Sequence, residues 1–141
     1  MKIIQIVGRS NSGKTTFIRT LIPELKKQGT VAVIKHLGDH DYHLEKGKDT
    51  TVFFDDGADI SVGMDSNKAV VAIHNNSLDD MLAILCNTGM AFAIIEGFKA
   101  RTFPKIVIGD LASEPCVMRD PTVNQVISSL ALFEDYYSKK G

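Results

Sequence analysis

Gly8-Arg9-Ser10-Asn11-Ser12-Gly13-Lys14-Thr15 is the stretch that sets the architecture of this chain. It matches the pattern Gly-x-x-x-x-Gly-Lys-Ser/Thr, whose glycines let the backbone curl until successive N–H groups point inward. An apolar, β-branched run at residues 3–7 precedes it, and a helix-patterned segment at residues 15–27 follows it. The pattern therefore lies between a strand and a helix, which is the context that it requires.

This loop has the groups that hold a polyphosphate. Its backbone N–H groups and the N-terminal end of the following helix favour an anion. Lys14 can reach the β- and γ-phosphates, and the Thr15 hydroxyl can coordinate Mg²⁺. The alternative is a plain Gly/Ser-rich turn, but a lysine at a helix N-terminus opposes the helix dipole and needs an anion to justify it. We therefore predict that the loop binds a nucleoside triphosphate.

Bulk composition limits the classes of protein to consider. At 141 residues the chain has the size of one domain, so we expect a single nucleotide-binding domain over residues 1–141. Its 17 acidic and 16 basic residues nearly cancel, which argues against a nucleic-acid partner. No apolar run approaches the roughly 18 residues of a membrane helix, and the first residues enter a strand rather than a signal peptide. Cys86 and Cys116 show no CxxC pairing and suit a reducing cytoplasm.

The segments after the loop alternate between helix and strand patterns. Pro23 is expected to kink or break the first helix, because proline cannot donate an N–H. Residues 30–35 predict a second strand, and the very hydrophobic residues 90–95 predict the central one. Residues 105–109 and, more weakly, 115–118 predict two more strands. The predicted fold class is α/β, a P-loop NTPase with a mostly parallel sheet flanked by helices.

Two neighbouring segments depart from this alternation. Residues 36–51 form a polar loop, and residues 48–58 follow as a helix-like piece with Val52 and Phe53 turned inward. Residues 60–64 and 68–74 then predict a β-hairpin. We expect this hairpin at the edge of the main sheet, where a second subunit could pair with it.

Two further helices are predicted later in the chain. Ser77 is expected to cap the first of them, with Leu78, Met81, Leu82 and Leu85 on one face. Asp120-Pro121 is expected to begin the last one. Its buried side would carry Val123, Val126, Ile127, Leu130 and Tyr137.

Several polar residues near predicted strand ends are candidates for chemistry. Glu96 ends the most hydrophobic strand, where P-loop NTPases place an acidic group near Mg²⁺ or the attacking water; the alternative is a solvated strand end. His36, His40 and His43 could bind a transition metal, but a loop broken by a glycine does not fix ligand geometry, so ordinary polar loop residues are the alternative. His74 is expected to be a surface or packing residue. A cationic cluster would be solvated or would face an anion, and it comprises Lys99, Arg101 and Lys105.

Several blocks together resemble the MobB family, small GTP-binding P-loop proteins of molybdenum cofactor biosynthesis. The resemblance runs from about residue 2 to about residue 109. Its blocks are the loop at residues 8–15, Ile34-Lys35-His36 followed by Asp39-His40, Gly47-Lys48-Asp49-Thr50, Gly57-Ala58, and Glu96-Gly97-Phe98-Lys99 followed by Pro104-Lys105.

The resemblance implies a homodimer that binds GTP with Mg²⁺ and assists a partner enzyme, a molybdopterin guanylyltransferase, which joins a guanine nucleotide to molybdopterin. Molybdopterin itself could be a further ligand. Carried over residue by residue, Gly13, Lys14 and Thr15 would hold the phosphates and Thr16 would add a contact. Asp49 and Glu96 would supply carboxylates near Mg²⁺, beside the Thr15 hydroxyl. Lys14, Asp49 and Glu96 would form the catalytic group, with Gly8, Arg9, Ser10, Asn11 and Ser12 as the rest of the nucleotide-binding loop.

The chain departs from the family pattern in one block. Where the family commonly has an arginine after Gly-Lys-Asp, this chain has Thr51-Val52-Phe53-Phe54, and Arg9 could supply a charge instead. Asp49 could equally be a helix N-terminal residue that the dipole favours. The guanine-reading Asn-Lys-x-Asp signature is absent, because Asn67-Lys68 is followed by Ala69-Val70, so the preference for GTP rests on the resemblance alone.

The first functional hypothesis is therefore a Mg²⁺-dependent GTP-binding adaptor with slow hydrolysis. Slow turnover is expected because the sequence has only four arginines and efficient P-loop enzymes use one on the developing charge. A small-molecule kinase is one alternative, although no arginine-bearing lid is visible. A nucleotide-gated scaffold or metallochaperone, with His36, His40 and His43 as ligands, is another.

Overall fold

A computed structural model describes residues 1–139 of the chain. These residues group into two compact units, one formed by Met1–Gly38 with the chain from Leu82 onward and the other by Asp39–Met81. The expectation of a single domain stays a prediction. The elements in chain order are β1 (Lys2–Gly8), α1 (Lys14–Lys26), β2 (Val31–Lys35), α2 (Asp49–Asp55), β3 (Ile60–Met64), β4 (Ala69–Ile73), α3 (Leu78–Asn87), β5 (Phe92–Glu96), β6 (Lys105–Ile108), β7 (Cys116–Arg119), α4 (Val123–Ser128), a 3₁₀ turn (Leu130–Leu132) and β8 (Glu134–Asp135).

The larger unit contains a mostly parallel sheet with the strand order β2-β5-β1-β6-β7. The short β8 pairs antiparallel with the start of β1. The α/β class with a parallel sheet and flanking helices is thus confirmed. The prediction that residues 90–95 form the central strand is wrong, because β1 lies in the middle and β5 lies beside it. Hydrophobicity could not separate the two strands, since both are buried on both faces.

One face of this sheet packs against α1 and α4. The buried side chains of this layer come from three strands, both helices and the C-terminal segment, and they are Ile4, Ile6, Ile18, Leu21, Leu25, Phe92, Ile94, Ile106, Ile108, Val126 and Phe133. Each fully buried side chain of this size contributes about 1.5–3 kcal/mol. At Pro23 a kink or a break was predicted; the break is wrong, since α1 continues through the proline, and the kink stays a prediction. Leu21 and Leu25 anchor the helix on either side of the proline.

The opposite face of the sheet holds two buried polar side chains. Gln5 of β1 and Lys105 of β6 are both 0% exposed. The expectation that Lys105 belongs to a solvated cationic cluster is therefore wrong. Lys105 is the first residue of a strand whose four residues are all buried, and its ammonium group donates to the Arg101 carbonyl oxygen at 2.7 Å. Lys99 is exposed and Arg101 is half-buried.

The smaller unit contains α2 and the β3–β4 hairpin. The hairpin is confirmed, but its expected place at the edge of the main sheet is wrong, because β3 and β4 form a separate two-stranded sheet. Val52 and Phe53 do not turn inward, since they are 44% and 57% exposed. Instead the Thr50 carbonyl accepts a hydrogen bond from the buried Ser61 hydroxyl at 2.7 Å, which directs the Thr50 side of α2 toward β3.

The predicted helix ends are confirmed in one case and wrong in another. The Ser77 hydroxyl accepts from the Asp80 N–H at 3.2 Å, as expected of an N-cap. The last helix begins after Thr122 rather than at Asp120-Pro121, because Thr122 and Gln125 form a reciprocal capping box. Tyr137 lies beyond this helix and is 79% exposed, which contradicts its predicted burial. No helix within residues 1–139 is long and apolar enough to cross a membrane.

Candidate functional site

The Gly-Lys-Thr loop joins the carboxyl end of β1 to the first turn of α1. Gly13 occupies the N-cap position of α1 with φ +97°, a conformation that glycine adopts without strain. No side chain caps this helix end. The first N–H groups of an α-helix have no partner within the helix, so they are directed at whatever lies over the loop. This end of α1 therefore presents donors and a positive dipole to an anion.

Gly8, at the start of the loop, permits close packing against the neighbouring strand. A Cβ at this position would lie 2.7 Å from the Ile108 carbonyl oxygen and 2.7 Å from the Ser12 hydroxyl oxygen. Both distances are too short for any side chain, so only glycine lets the loop fold back against the end of β6. At Gly13, by contrast, a Cβ would meet nothing within 4 Å, which leaves open space over the loop.

The Lys14 ammonium group folds back over the loop. It donates to the carbonyl oxygens of Gly8, at 3.0 Å, and Arg9, at 2.8 Å. Its pKa is lowered chiefly by desolvation, and further by the positive charges of Lys99 and Lys35, whereas Glu96 acts in the opposite direction. The lysine head therefore lies in the field of those three charges.

Glu96 lies at the carboxyl ends of the parallel strands, where the phosphate loop begins. It ends β5 and pairs in register with Ile6 of β1 and with Lys35 of β2, because all three strands are parallel. Its side chain is 12% exposed, and the Lys35 ammonium lies 3.9 Å from one of its carboxylate oxygens. Lys14 thus interacts electrostatically with one carboxylate, Glu96, and with two further lysines, Lys35 and Lys99. The excess of positive charge favours a polyanion.

The sequence reasoning identified Glu96 and Lys14 but did not include Lys35 as a site residue. Lys35 is the last residue of β2, and its position beside Glu96 follows from β2 pairing with β5. One signal in the sequence for this role was that Lys35 follows directly on an apolar strand. The other signal was the general rule that ligands bind at the carboxyl ends of parallel strands.

Arg9 forms an ion pair within its own chain. Its guanidinium pairs with the Asp110 carboxylate at 3.0 Å, and both side chains are exposed. The hydrogen bond and the charge of Arg9 hold the pKa of Asp110 below its usual value. The role of Arg9 toward a nucleotide stays a prediction, as do those of Ser10, Asn11 and Thr16, which are exposed, and of half-buried Ser12.

Asp49 and three of the four histidines lie in the smaller unit. Asp49 is the first residue of α2 and is exposed, which fits its alternative interpretation as a helix N-terminal residue. His40 and His43 are exposed, and His74 packs on Phe54 with ring centroids 3.7 Å apart. His36 of the larger unit stacks on Phe98 at 4.5 Å. Among residues 1–139, no group of three or more His, Cys, Asp or Glu side chains could hold a metal ion.

The donors at the loop fit a magnesium nucleotide. Mg²⁺ in such sites keeps water and phosphate oxygens as ligands and needs only one or two protein oxygens. The exposed Thr15 hydroxyl and the Glu96 carboxylate are groups of that kind. The uncapped helix end, the open space at Gly13 and the Lys14 ammonium meet the needs of a triphosphate.

Comparison with known proteins matches this chain to one family. The family model for molybdopterin guanine dinucleotide synthesis protein B, MobB, matches residues 3–129. A Haemophilus influenzae molybdopterin-guanine dinucleotide biosynthesis adapter protein is 33% identical over 111 residues, covering 75% of this chain and 62% of that protein. A Methanocaldococcus jannaschii protein, provisionally named for the same adapter role, is 35% identical over 112 residues, covering 77% of this chain and 47% of that protein. The chain thus spans about half to two thirds of the length of these relatives.

Solved structures share the fold. The crystal structure of Bacillus subtilis MobB matches with a TM-score of 0.72 at 21% identity, covering 96% of this chain and all of that one. A crystal structure of molybdopterin-guanine biosynthesis protein B matches with a TM-score of 0.62 at 22% identity, covering 92% and 97% of the two chains. At these identities the likeness concerns the fold.

Proposed function

Because the chain belongs to the MobB family, we propose that it is a Mg²⁺-dependent GTP-binding adapter that assists attachment of the guanine nucleotide to molybdopterin. One observation carries the proposal most directly. The phosphate loop at residues 8–15, which includes Lys14, lies at the carboxyl ends of the parallel strands. The Glu96 carboxylate and Lys35 lie at the same ends of the neighbouring strands. This combination supplies donors for phosphate oxygens and an oxygen ligand for a hard cation.

In this proposal each group has one task. The N–H groups of the loop and of the first turn of α1 bind phosphate oxygens, and Lys14 neutralises the charge on the β- and γ-phosphates. Thr15 and Glu96 would hold Mg²⁺, directly or through its water. Mg²⁺ held by these residues would supply positive charge to the phosphate oxygens.

We expect hydrolysis of the nucleotide to be slow. Efficient P-loop enzymes place an arginine on the charge that develops in the transition state. Here Arg9 pairs with Asp110, Arg119 donates to the carbonyl oxygens of Gly109 and Leu111, and the Arg101 guanidinium lies over the Phe103 ring. These contacts support a binding role over rapid turnover.

The partner side of the proposal follows from the relatives. A relative is named as an adapter protein of molybdopterin-guanine dinucleotide biosynthesis, and an adapter implies an enzyme with which it works. We propose a molybdopterin guanylyltransferase as the partner of this chain, with molybdopterin as a further ligand. We propose the cytoplasm as its location, a compartment in which the free cysteines Cys86 and Cys116 stay reduced.

A competition assay tests the nucleotide. Fluorescent GTP bound to the protein is displaced by GTP or by ATP, each with Mg²⁺ and with EDTA. We expect GTP to displace it better than ATP, and Mg²⁺ to strengthen the binding. Equal displacement by ATP would remove the guanine preference, and no binding of either nucleotide would contradict the proposal as a whole.

Lys35 should help the protein to distinguish a triphosphate from a diphosphate. Its ammonium lies beside Glu96 at the strand end, where the terminal phosphate is expected. Lys35→Met should therefore lower the GTP-to-GDP affinity ratio by about tenfold, since a charged hydrogen bond contributes about 1.5–3 kcal/mol. Titration calorimetry with both nucleotides measures the ratio. Lys26→Met, at the far end of α1, is the matched control and should keep it.

The β3–β4 hairpin should carry the homodimer contact. One of its faces exposes Ile60, Val62, Met64 and Val71, and Val62 and Val71 are register partners. Exposed apolar faces and free strand edges favour association between copies, which is commonly two-fold. Val62→Lys should therefore convert a dimer into a monomer in light scattering after size exclusion. Leu132→Lys, an equally exposed leucine in the larger unit, should stay dimeric. A wild-type monomer would contradict this part of the proposal.

A further inference from the structure

Gln5 and Lys105 are a pair of buried polar side chains beneath the site. They are register partners on the adjacent parallel strands β1 and β6, so they lie on the same face of the sheet. Both are 0% exposed, in a layer where neighbours such as Ile3 and Val7 are apolar. Neither residue belongs to the phosphate loop, and neither has a task in the proposed function.

Both side chains donate to the turn that follows Glu96. The Gln5 amide nitrogen donates to the carbonyl oxygens of Gly97 and Phe98, at 2.8 Å each. The Lys105 ammonium donates to the carbonyl oxygen of Arg101 at 2.7 Å. The turn is closed by a 2.8 Å hydrogen bond from the Arg101 N–H to the Phe98 carbonyl oxygen. Two buried side chains therefore hold both ends of residues 97–101.

Burying Gln5 and Lys105 is unfavourable for the stability of the fold. Burial lowers the pKa of Lys105, because the charged form loses its water. The Gln5 side-chain oxygen is buried and has no hydrogen-bond partner among the described residues. A buried ion pair replaced as a whole by apolar residues of similar volume often costs no stability, so burying such polar groups is not in itself stabilising. Gln5 and Lys105 therefore contribute mainly by holding the turn at residues 97–101 in place.

The turn connects directly to the site. Glu96 precedes it, and Lys99 is one of its two central residues. The Phe98 backbone has φ +54°, an unfavourable conformation for a side-chain-bearing residue that the hydrogen bonds from Gln5 and Arg101 help to maintain. The path of the chain after Glu96 is thus fixed by hydrogen bonds from Gln5, Lys105 and the Arg101 N–H, and the phosphate loop donates none of them.

We propose that Gln5 and Lys105 are positioning residues, which hold the turn at residues 97–101 so that Glu96 stays directed at the magnesium side of the nucleotide. This inference rests on the proposed nucleotide binding and deepens it. Groups that orient a metal-ligating side chain commonly change metal affinity about 10–100-fold when they are removed. Phosphate binding by the loop and Lys14 does not depend on Gln5 or Lys105.

The test uses Gln5→Leu and Lys105→Met, two apolar replacements of similar size. Binding of fluorescent mant-GTP is measured with Mg²⁺ and with EDTA, and amide hydrogen exchange at residues 97–101 is measured without nucleotide. Thr30→Val is the matched control, because it removes a side-chain hydrogen bond to the Gly89 carbonyl oxygen at the opposite end of the sheet. Thermal unfolding checks that each variant is folded.

We expect both variants to stay folded, with unfolding temperatures at or somewhat below that of the wild type, because the carbonyl oxygens of the turn lose a donor. Both should exchange faster at residues 97–101. With Mg²⁺ their affinity for mant-GTP should fall about tenfold, and with EDTA it should match the wild type. Thr30→Val should match it in both. Wild-type exchange in the turn, or faster exchange with unchanged Mg²⁺-dependent affinity, would overturn the positioning role. A wild-type protein whose affinity ignores Mg²⁺ would instead contradict the proposed function, and the inference would fall with it.

Discussion

Lys14→Ala is expected to lower the affinity for Mg²⁺–GTP by about 100-fold or more. The Lys14 ammonium already lies over the loop, where it donates to the Gly8 and Arg9 carbonyl oxygens, so it is in place to meet the β- and γ-phosphates. Each charge-assisted hydrogen bond contributes about 1.5–3 kcal/mol, and 1.4 kcal/mol is a factor of ten. Loss of two such bonds therefore accounts for the effect, and titration calorimetry measures it.

The same variant should keep its fold. A lysine in the first turn opposes the dipole of α1, so its removal should leave the unfolding temperature unchanged or slightly higher. Lys26→Ala, in the last turn of the same helix, is the matched control and should retain the affinity of the wild type. A folded Lys14→Ala protein with wild-type affinity would exclude the loop as the phosphate site.

Glu96→Gln is expected to remove most of the strengthening that Mg²⁺ gives to nucleotide binding. The carboxylate is largely buried and ends the strand next to β1, in register with Ile6, so it lies at the strand ends where the phosphate loop begins. A lost charged contact of about 1.5–3 kcal/mol corresponds to a fall of roughly tenfold to 100-fold with Mg²⁺. With EDTA the affinity should stay equal or rise, because a negative charge near the triphosphate is gone.

This comparison of Mg²⁺ with EDTA separates a metal ligand from a structural strand end. Glu24→Gln, an exposed carboxylate of α1 that pairs with Lys27, provides the control for a lost surface charge. If Glu96→Gln keeps the full effect of Mg²⁺, the carboxylate has only a structural role at the strand end, beside Lys35, and the ion is held by other groups.

The fold of the larger unit could be predicted because two independent signals agree. The loop at residues 8–15 requires a strand before it and a helix after it, and the apolar runs that form β2, β5 and β6 supply parallel strands. The hairpin was also predictable as a local unit, since its strands are close in sequence. Its separation from the main sheet was not, because edge pairing depends on contacts between distant segments that hydrophobic patterns do not specify.

The site was predictable only where its chemistry is local in sequence. Lys14 and Thr15 belong to one contiguous motif, whereas Lys35 comes beside Glu96 through strand pairing across about 60 positions of the chain. Lys105 was misjudged because lysines are usually solvated, and its burial depends on a carbonyl acceptor supplied by the turn before it. Such partners become visible once the backbone of residues 97–101 is known.

The most direct measurement is a titration of ¹⁵N-labelled protein with Mg²⁺–GTP, followed through its backbone amide resonances. If the loop grips the phosphates, the largest shifts will fall on the amides of residues 9–16, with smaller ones at Glu96 and Lys35. Saturating nucleotide that leaves those loop amides unmoved, whether the shifts fall elsewhere or nowhere, would contradict the assignment of this site.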